Sequence, residues 1–210
     1  MRPRDERWCS WRLAAGPDGR RQQRRLDEAL SKQAANPYQC AFDQLKAAAG
    51  ADALNEVVRR GVLQARRPAA APIDAKELEA CREAEASEAD WHLGPGVRAL
   101  GVLLADHPSR FARTVLTTNF DPLVEVAVRV AGGSAHGLDF RGDAGLGVED
   151  HNVGVVHLHG SWRGDTWHGV DALTQDRAQL VRSLAGLFEQ GTLVVLGYGG
   201  WDDVITAAAR

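Results

Sequence analysis

The chain has 210 residues, 44% hydrophobic and 25% charged, which is enough length and apolar content for one sizeable core. A formal charge of −3 gives no global argument for nucleic acid or anionic membrane as a partner; no run reaches the length of a membrane span, and the N-terminus lacks the apolar stretch of a secretory signal. Cys9, Cys40 and Cys81 are scattered and form no CxxC pair, which argues for reduced thiols in a cytoplasmic setting and against a disulfide framework or a cysteine zinc site.

Along the chain, the first 25 residues carry eight arginines against three acids and no periodic apolar face, and LAAGPDGRRQQRR within them reads as loop. Residues 1–35 are therefore expected to be an irregular basic segment, with an α/β domain over 36–210. From Asn36 the spacing is helical: Phe42, Leu45 and Ala49 share a face, Gly50 interrupts, and Leu54, Val57 and Val58 continue. ARRPAAAPID (Ala65 to Asp74) is a connector, and KELEACREAEASEAD (Lys76 to Asp90) reads as a charged, solvated helix. PGVRALGVLLADHP is an amphipathic helix that Pro108 ends. Together these make a helical insertion over about 40–106.

The second half alternates. Thr114 to Thr118 is an apolar strand; Asp121 is a good N-cap with Pro122 at the first helical position, and Gly132-Gly133 ends that helix. A loop rich in Gly and Asp (Ser134 to Asn152) leads to a strand at Val153 to Leu158. A helix over Leu173 to Gln190 places Leu180, Leu184 and Leu187 on one side, and Thr192 to Gly197 is expected to be a third strand. Strand, helix, strand, helix, strand with continuous apolar strands predicts an α/β fold: a doubly wound, Rossmann-like parallel sheet with helices on both faces.

In such sheets ligands bind outside the carboxyl ends of the strands. Here those ends read TTNFD, HLHG and GYGGWDD, each with more polar residues or glycines than a βα turn requires. Asn119 and Asp121 fit a site but also fit ordinary turn and cap roles. His157 and His159 would share a face if the strand persisted, a pattern that also suits a metal. A core role is the commoner fate of a lone imidazole, although Gly160 beside His159 permits close backbone approach. Gly197, Gly199 and Gly200 could hold a phosphate or ribose.

Taken together, TTNFDPLVEVA, VVHLHGSW and VVLGYGGWDD resemble the sirtuin-like (silent-information-regulator-like) domain, above all the bacterial branch at the front of anti-phage defence proteins. The resemblance runs from about Pro37 onward. It implies NAD as substrate and a nicotinamide-releasing hydrolase. Asn119 would orient water or the nicotinamide ribose, Asp121 would lie near the carboxamide, and His159 would be the general base, with His157 in support. Thr117 and Thr118 belong to the first motif, and Gly160 lets the dinucleotide approach. Gly197, Tyr198 and Gly199 would contact ribose and phosphate, with Asp202 or Asp203 near the adenosine. No metal is required. The four-cysteine zinc module of the family's protein deacylases has no counterpart among three unpaired cysteines, which favours NAD hydrolysis over deacylation. The resemblance further implies a fused or separate sensor domain, and leaves homo-oligomers open.

The family's opening strand and GAG-type phosphate loop would stand near Leu13 to Gly19, where LAAGPDG lacks the G-x-G-x-S order. That departure is expected to reflect a late or shifted start, and the short helix after Asp203 a truncated C-terminus. Two alternatives stay open: a sirtuin-like module that binds NAD, ADP-ribose or a partner without turnover, and a metal-dependent hydrolase using His157, His159 and an acid such as Asp121.

Overall fold

The structure is a computed structural model and describes residues 37–107, 110–111, 114–139, 153–164, 177–199 and 203–210. The expected basic segment 1–35 lies outside them. In chain order the elements are α1 (Pro37–Leu63), α2 (Leu78–Ala86), a 3-10 turn (Glu88–Asp90), α3 (Pro95–Asp106), β1 (Thr114–Thr117), α4 (Leu123–Val130), β2 (Ala135–Asp139), β3 (Val153–His157), α5 (Ala178–Glu189) and α6 (Val204–Ala208).

The three strands form one parallel sheet in the order β1-β3-β2, with Thr114 beside Gly154 and Ala135 beside Val153 in register. Every residue of the central strand β3 is buried, as a strand paired on both edges and covered on both faces must be. Its pleat divides the core in two. Val153 and Val155 pack with Val115 and Ala135 against Leu104 of α3 and Val128 of α4. Val156, with Leu116 and Leu138, faces the other way onto Leu180 and Leu184 of α5 and Val204 of α6. Helices thus cover both faces of a parallel sheet, which is the α/β, Rossmann-like arrangement that the alternation predicts.

A third cluster joins the helical segment to this sheet. Val58 and Val62 of α1, Cys81 and Ala84 of α2, and Trp91 pack onto Val126 and Ala127 of α4 and onto Trp162. The two tryptophans meet edge to face with centroids 5.5 Å apart. Gly50 does interrupt α1: its φ of 84° lies in the left-handed region, and the helix kinks there. α2 is not the solvated excursion expected of Lys76 to Asp90. It is shorter, and its Cys81, Ala84 and Glu85 are buried, because small side chains let Trp91 close over that face and donate its Nε1–H to the Ala84 carbonyl at 3.0 Å.

Three further expectations change. The helix after the TTNFD motif starts at Leu123, with Pro122 at the cap position; Asp121 still serves it, its Oδ1 accepting the Leu123 N–H at 3.1 Å. Part of the expected loop Ser134 to Asn152 is the edge strand β2, whose backbone finds partners in β3 despite its unpatterned side chains. Thr192 to Gly197 is not a strand. It pairs with none of the three described strands, and Leu193, Val194, Val195 and Leu196 are 43%, 65%, 56% and 72% exposed. A strand exists only through a hydrogen-bonded neighbour, whatever its β propensity.

α3 and α4 approach each other closely where they cross. A Cβ on Gly101 would overlap the Ala127 carbonyl oxygen and stand 2.7 Å from the Ala127 Cβ. Gly101→Ala is therefore expected to destabilise the protein by about 1–3 kcal/mol despite its better helix propensity. Denaturant unfolding would measure it, and an unchanged midpoint would show that the helices part freely.

Candidate functional site

The site is built where β1 and β3 end together. Thr117 and His157 are register partners, so Asn119 and His159 each stand two residues beyond one paired position, at the carboxyl edge of the sheet. Asp139, the last residue of β2, also pairs with His157.

Three hydrogen bonds stitch the turn after β1 to the turn after β3. The Leu158 N–H donates to the Thr117 carbonyl at 2.9 Å, the Trp162 N–H to the Phe120 carbonyl at 2.9 Å, and the ring Nδ1–H of His157 to the Asn119 carbonyl at 2.8 Å. Within the first turn, the Asn119 N–H reaches its neighbour's Thr117 Oγ1 at 3.1 Å. The Asn119 residue is exposed, whereas its backbone is pinned. Thr118 is half-buried beside it. Asp121 is half-buried too; burial pushes its carboxyl above the usual range, partly offset by the Leu123 N–H.

The two histidines part company. β3 stops at His157, and a turn closes as the Gly160 N–H donates to the His157 carbonyl at 3.2 Å, with Gly160 at φ 82°. The strand does not persist through His159, so the HxH spacing does not give a shared face. His157, 1% exposed, presents Nε2 to Glu125 Oε1 of α4 at 2.8 Å, and Glu125 is fully buried. Because a carbonyl can only accept, Nδ1 carries a proton and the contact to Glu125 shares another. Burial alone would push the His157 pKa down; the Glu125 hydrogen bond and charge, the Asn119 carbonyl and Asp139 together carry it up.

His159 turns to the other carboxylate. Its Nε2 lies 3.4 Å from Asp203 Oδ2, with both residues buried, and neither atom has an aligned hydrogen bond among the described residues. Asp203 caps α6: its Oδ1 accepts the Ile205 and Thr206 N–H groups at 2.9 and 3.3 Å, and also the Tyr198 hydroxyl at 2.6 Å. Burial would raise the Asp203 pKa, but His159, Tyr198 and the two backbone donors outweigh it and hold the carboxyl below its ordinary value. Tyr198, His159 and Asp203 are thus brought together although the segment carrying Tyr198 is not a strand. Gly197 (φ 65°) and Gly199 are exposed nearby in the chain, and Asp202 lies outside the described residues, as does the stretch near Leu13 to Gly19.

The metal reading loses its geometry here, since each imidazole faces a different carboxylate. Among the described residues no group of three His, Cys, Asp or Glu side chains could hold an ion.

Sequence reasoning passed over Glu125, Glu85 and Arg163. Glu85 Oε1 and Oε2 accept from Arg163 Nη1 and Trp162 Nε1, both at 3.4 Å, and burial raises its carboxyl while Arg163 lowers it. A Cβ on Gly137 would overlap the Arg163 guanidinium and stand 2.6 Å from Glu125 Oε1, so the glycine makes room for both. The available signal was LVEVAVRV: an acid set among valines on the apolar face of a helix needs a partner.

The family model described as a SIR2-like domain matches residues 113–210. Residues 113–210 form a SIR2-like domain. The match contains β1, α4, β3, both histidines and Asp203, and it begins after the helical stretch that ends at Asp106. Neither a curated protein nor a solved structure matches the chain. SIR2-like domains take NAD as substrate and are often NAD-dependent enzymes. No helix among the described residues is long and apolar enough to cross a membrane.

Within the SIR2-like domain, His157 and Glu125 carry a buried, proton-sharing contact whose loss is asymmetric. His157→Leu strands a buried carboxylate and is expected to cost about 3–5 kcal/mol, whereas the double replacement with Glu125→Leu costs less. The raised His157 pKa makes its stabilising contribution complete below about pH 6.5 and lost as pH rises through the folded value. Thermal unfolding of wild type should therefore weaken more on the alkaline side than that of the double variant; parallel pH profiles would refute the assignment.

Proposed function

We propose that the chain hydrolyses NAD at the nicotinamide–ribose bond, with His159 as general base and Asn119 as the group that positions water. The observation that carries this reading is the buried His159–Asp203 pair at the carboxyl edge of the sheet, two residues beyond the Thr117–His157 register pair. The residues fit the substrate: His159 Nε2 and Asp203 Oδ2 are buried polar atoms without an aligned partner among the described residues, and Gly160 leaves the backbone beside His159 bare.

A neutral imidazole with its proton on Nε2, the nitrogen beside Asp203, has its lone pair on Nδ1 for an incoming proton. Water adds its oxygen to the anomeric carbon of the ribose as the C–N bond breaks. The bonding electrons leave with nicotinamide, which becomes a neutral ring, and the water proton passes to His159. Asp203, kept ionised by its donors, stabilises the imidazolium that results. The products are nicotinamide and ADP-ribose. Asp121 near the carboxamide, Thr117 and Thr118 along the first turn, and Gly160, Gly197, Tyr198, Gly199, Asp202 and Asp203 along the dinucleotide complete the proposed contacts. Tyr198 and Asp203 also act on His159, a role their hydrogen bond and proximity support directly.

The wider reading makes this domain the effector of an anti-phage defence protein in which a fused or separate sensor triggers NAD depletion. The resemblance of the three motifs is its support.

The test is nicotinamide release from NAD by the purified 210-residue chain. His159→Ala is expected to lower release by roughly 10²–10⁴-fold, and Asn119→Ala to lower it through turnover more than through KM. Full activity in both variants would overturn the site. Tight NAD binding without release by the wild type would replace the hydrolase with a binding module.

A further inference from the structure

Glu125 lies in α4, outside both turns of the site, yet it is fully buried and its Oε1 meets His157 Nε2 at 2.8 Å. Its other oxygen has no hydrogen-bond partner among the described residues, so the described hydrogen bonding of this carboxylate goes to His157. The opposite ring nitrogen of His157 donates to the Asn119 carbonyl at 2.8 Å. The imidazole therefore bridges both ends of the turn between β1 and α4: one contact on Asn119 near its start, one on Glu125 in the helix that follows it.

We propose that Glu125 is a positioning residue for the hydrolytic site, acting through His157 to fix the backbone of Asn119. The inference rests on the NAD-hydrolase reading for its consequence and on these two hydrogen bonds for its geometry. A free imidazole could rotate about χ2 or exchange its tautomer; the two contacts together fix both, because the Asn119 carbonyl can only accept and so requires Nδ1–H, while Glu125 shares a proton with Nε2 and holds the ring plane. Fixing the carbonyl of Asn119 sets the direction of its Cα–Cβ bond, and with it the space its exposed amide can reach. Other ties of the turn among the described residues include the Asn119 N–H to Thr117 Oγ1, the Trp162 N–H to the Phe120 carbonyl, the Leu123 N–H to Asp121 Oδ1, and the packing of Phe120 on the Trp91–Trp162 cluster. Of the contacts made by side chains outside the turn, the one from His157 falls on the residue that positions water.

The role separates from a merely structural one through substitution chemistry. In Glu125→Gln the side-chain amide can donate to Nε2 of a neutral His157, so the bridge survives without the charge. In Glu125→Leu Nε2 is left bare and the bridge loses one end. The full chain carrying each variant is assayed for nicotinamide release beside circular dichroism and thermal unfolding. Glu125→Leu is expected to lose on the order of ten- to a hundredfold in kcat with little change in KM, because water is positioned and not NAD bound. Glu125→Gln is expected to restore most of that loss. A folded Glu125→Leu protein with wild-type kcat would overturn the proposal, and so would a Glu125→Gln protein that folds but is as slow as the Leu variant.

Failure of the hydrolase reading is separately visible, since the wild type would then release no nicotinamide. In that case the bridge is read by NMR. The backbone amide signals of Asn119 and Phe120 are expected to shift in Glu125→Leu and return toward wild type in Glu125→Gln. Unchanged signals in a folded Leu variant would overturn the positioning role. Should Glu125→Leu fail to fold, the His157 ring decides from wild type and Glu125→Gln alone: ¹⁵N shifts showing Nδ1 unprotonated would exclude the bridge to the Asn119 carbonyl.

Discussion

A histidine at the end of a fully buried central strand is tolerable only when both of its ring nitrogens are met, and His157 meets that condition through Glu125 and the Asn119 carbonyl. Much of the site follows from that one constraint. The strand can run apolar to its last residue and still finish on a polar group. The helix α4 must bring Glu125 under the sheet, which places its own N-terminus, and hence the TTNFD turn, beside the end of β3. Gly137 on β2 must lack a side chain for the carboxylate and the Arg163 guanidinium to fit. Arg163 then reaches Glu85 of α2, so the helical segment and the sheet meet around a buried polar patch as well as around the Trp91–Trp162 contact.

Two histidines separated by one residue end in different environments because the chain turns between them. A strand continuing through His159 would have aimed both at α4; the stop at His157 and the left-handed Gly160 send His159 toward α6 and Asp203 instead. The division separates an imidazole whose nitrogens are both used internally from one whose Nε2 faces a carboxylate at 3.4 Å. Sequence spacing alone could not make that distinction, since a period of two holds only inside a strand.

Where the sequence was legible, one local signal sufficed. The unbroken apolar run of β3, the TVLT of β1, the Gly50 break in α1 and the glycine stop after α4 each follow from a residue type acting on its own backbone. Where it was not, the answer lay in a partner distant in sequence. AHGLD has no strand pattern and becomes β2 because β3 offers its edge. LEACREAEA looks solvated until Trp91 and Trp162 pack on its small residues. TLVVLG has strong strand character and pairs with none of the described strands. The site divides the same way: Asn119, His159 and Gly160 stood out as polar or bare residues at strand ends, whereas Glu125 hid inside an apolar helix and drew its meaning from a residue 32 positions away.

The exposed segment Leu193–Leu196 also bears on the thermodynamics of the whole chain. Heat-capacity change on unfolding and the steepness of a denaturant transition both scale with the apolar surface that water newly reaches. Four consecutive large aliphatic side chains that are 43–72% exposed in the native state have surrendered much of that change beforehand. The stability curve of this protein is accordingly expected to be slightly flatter with temperature than its hydrophobic composition would indicate, with a gentler cold limb.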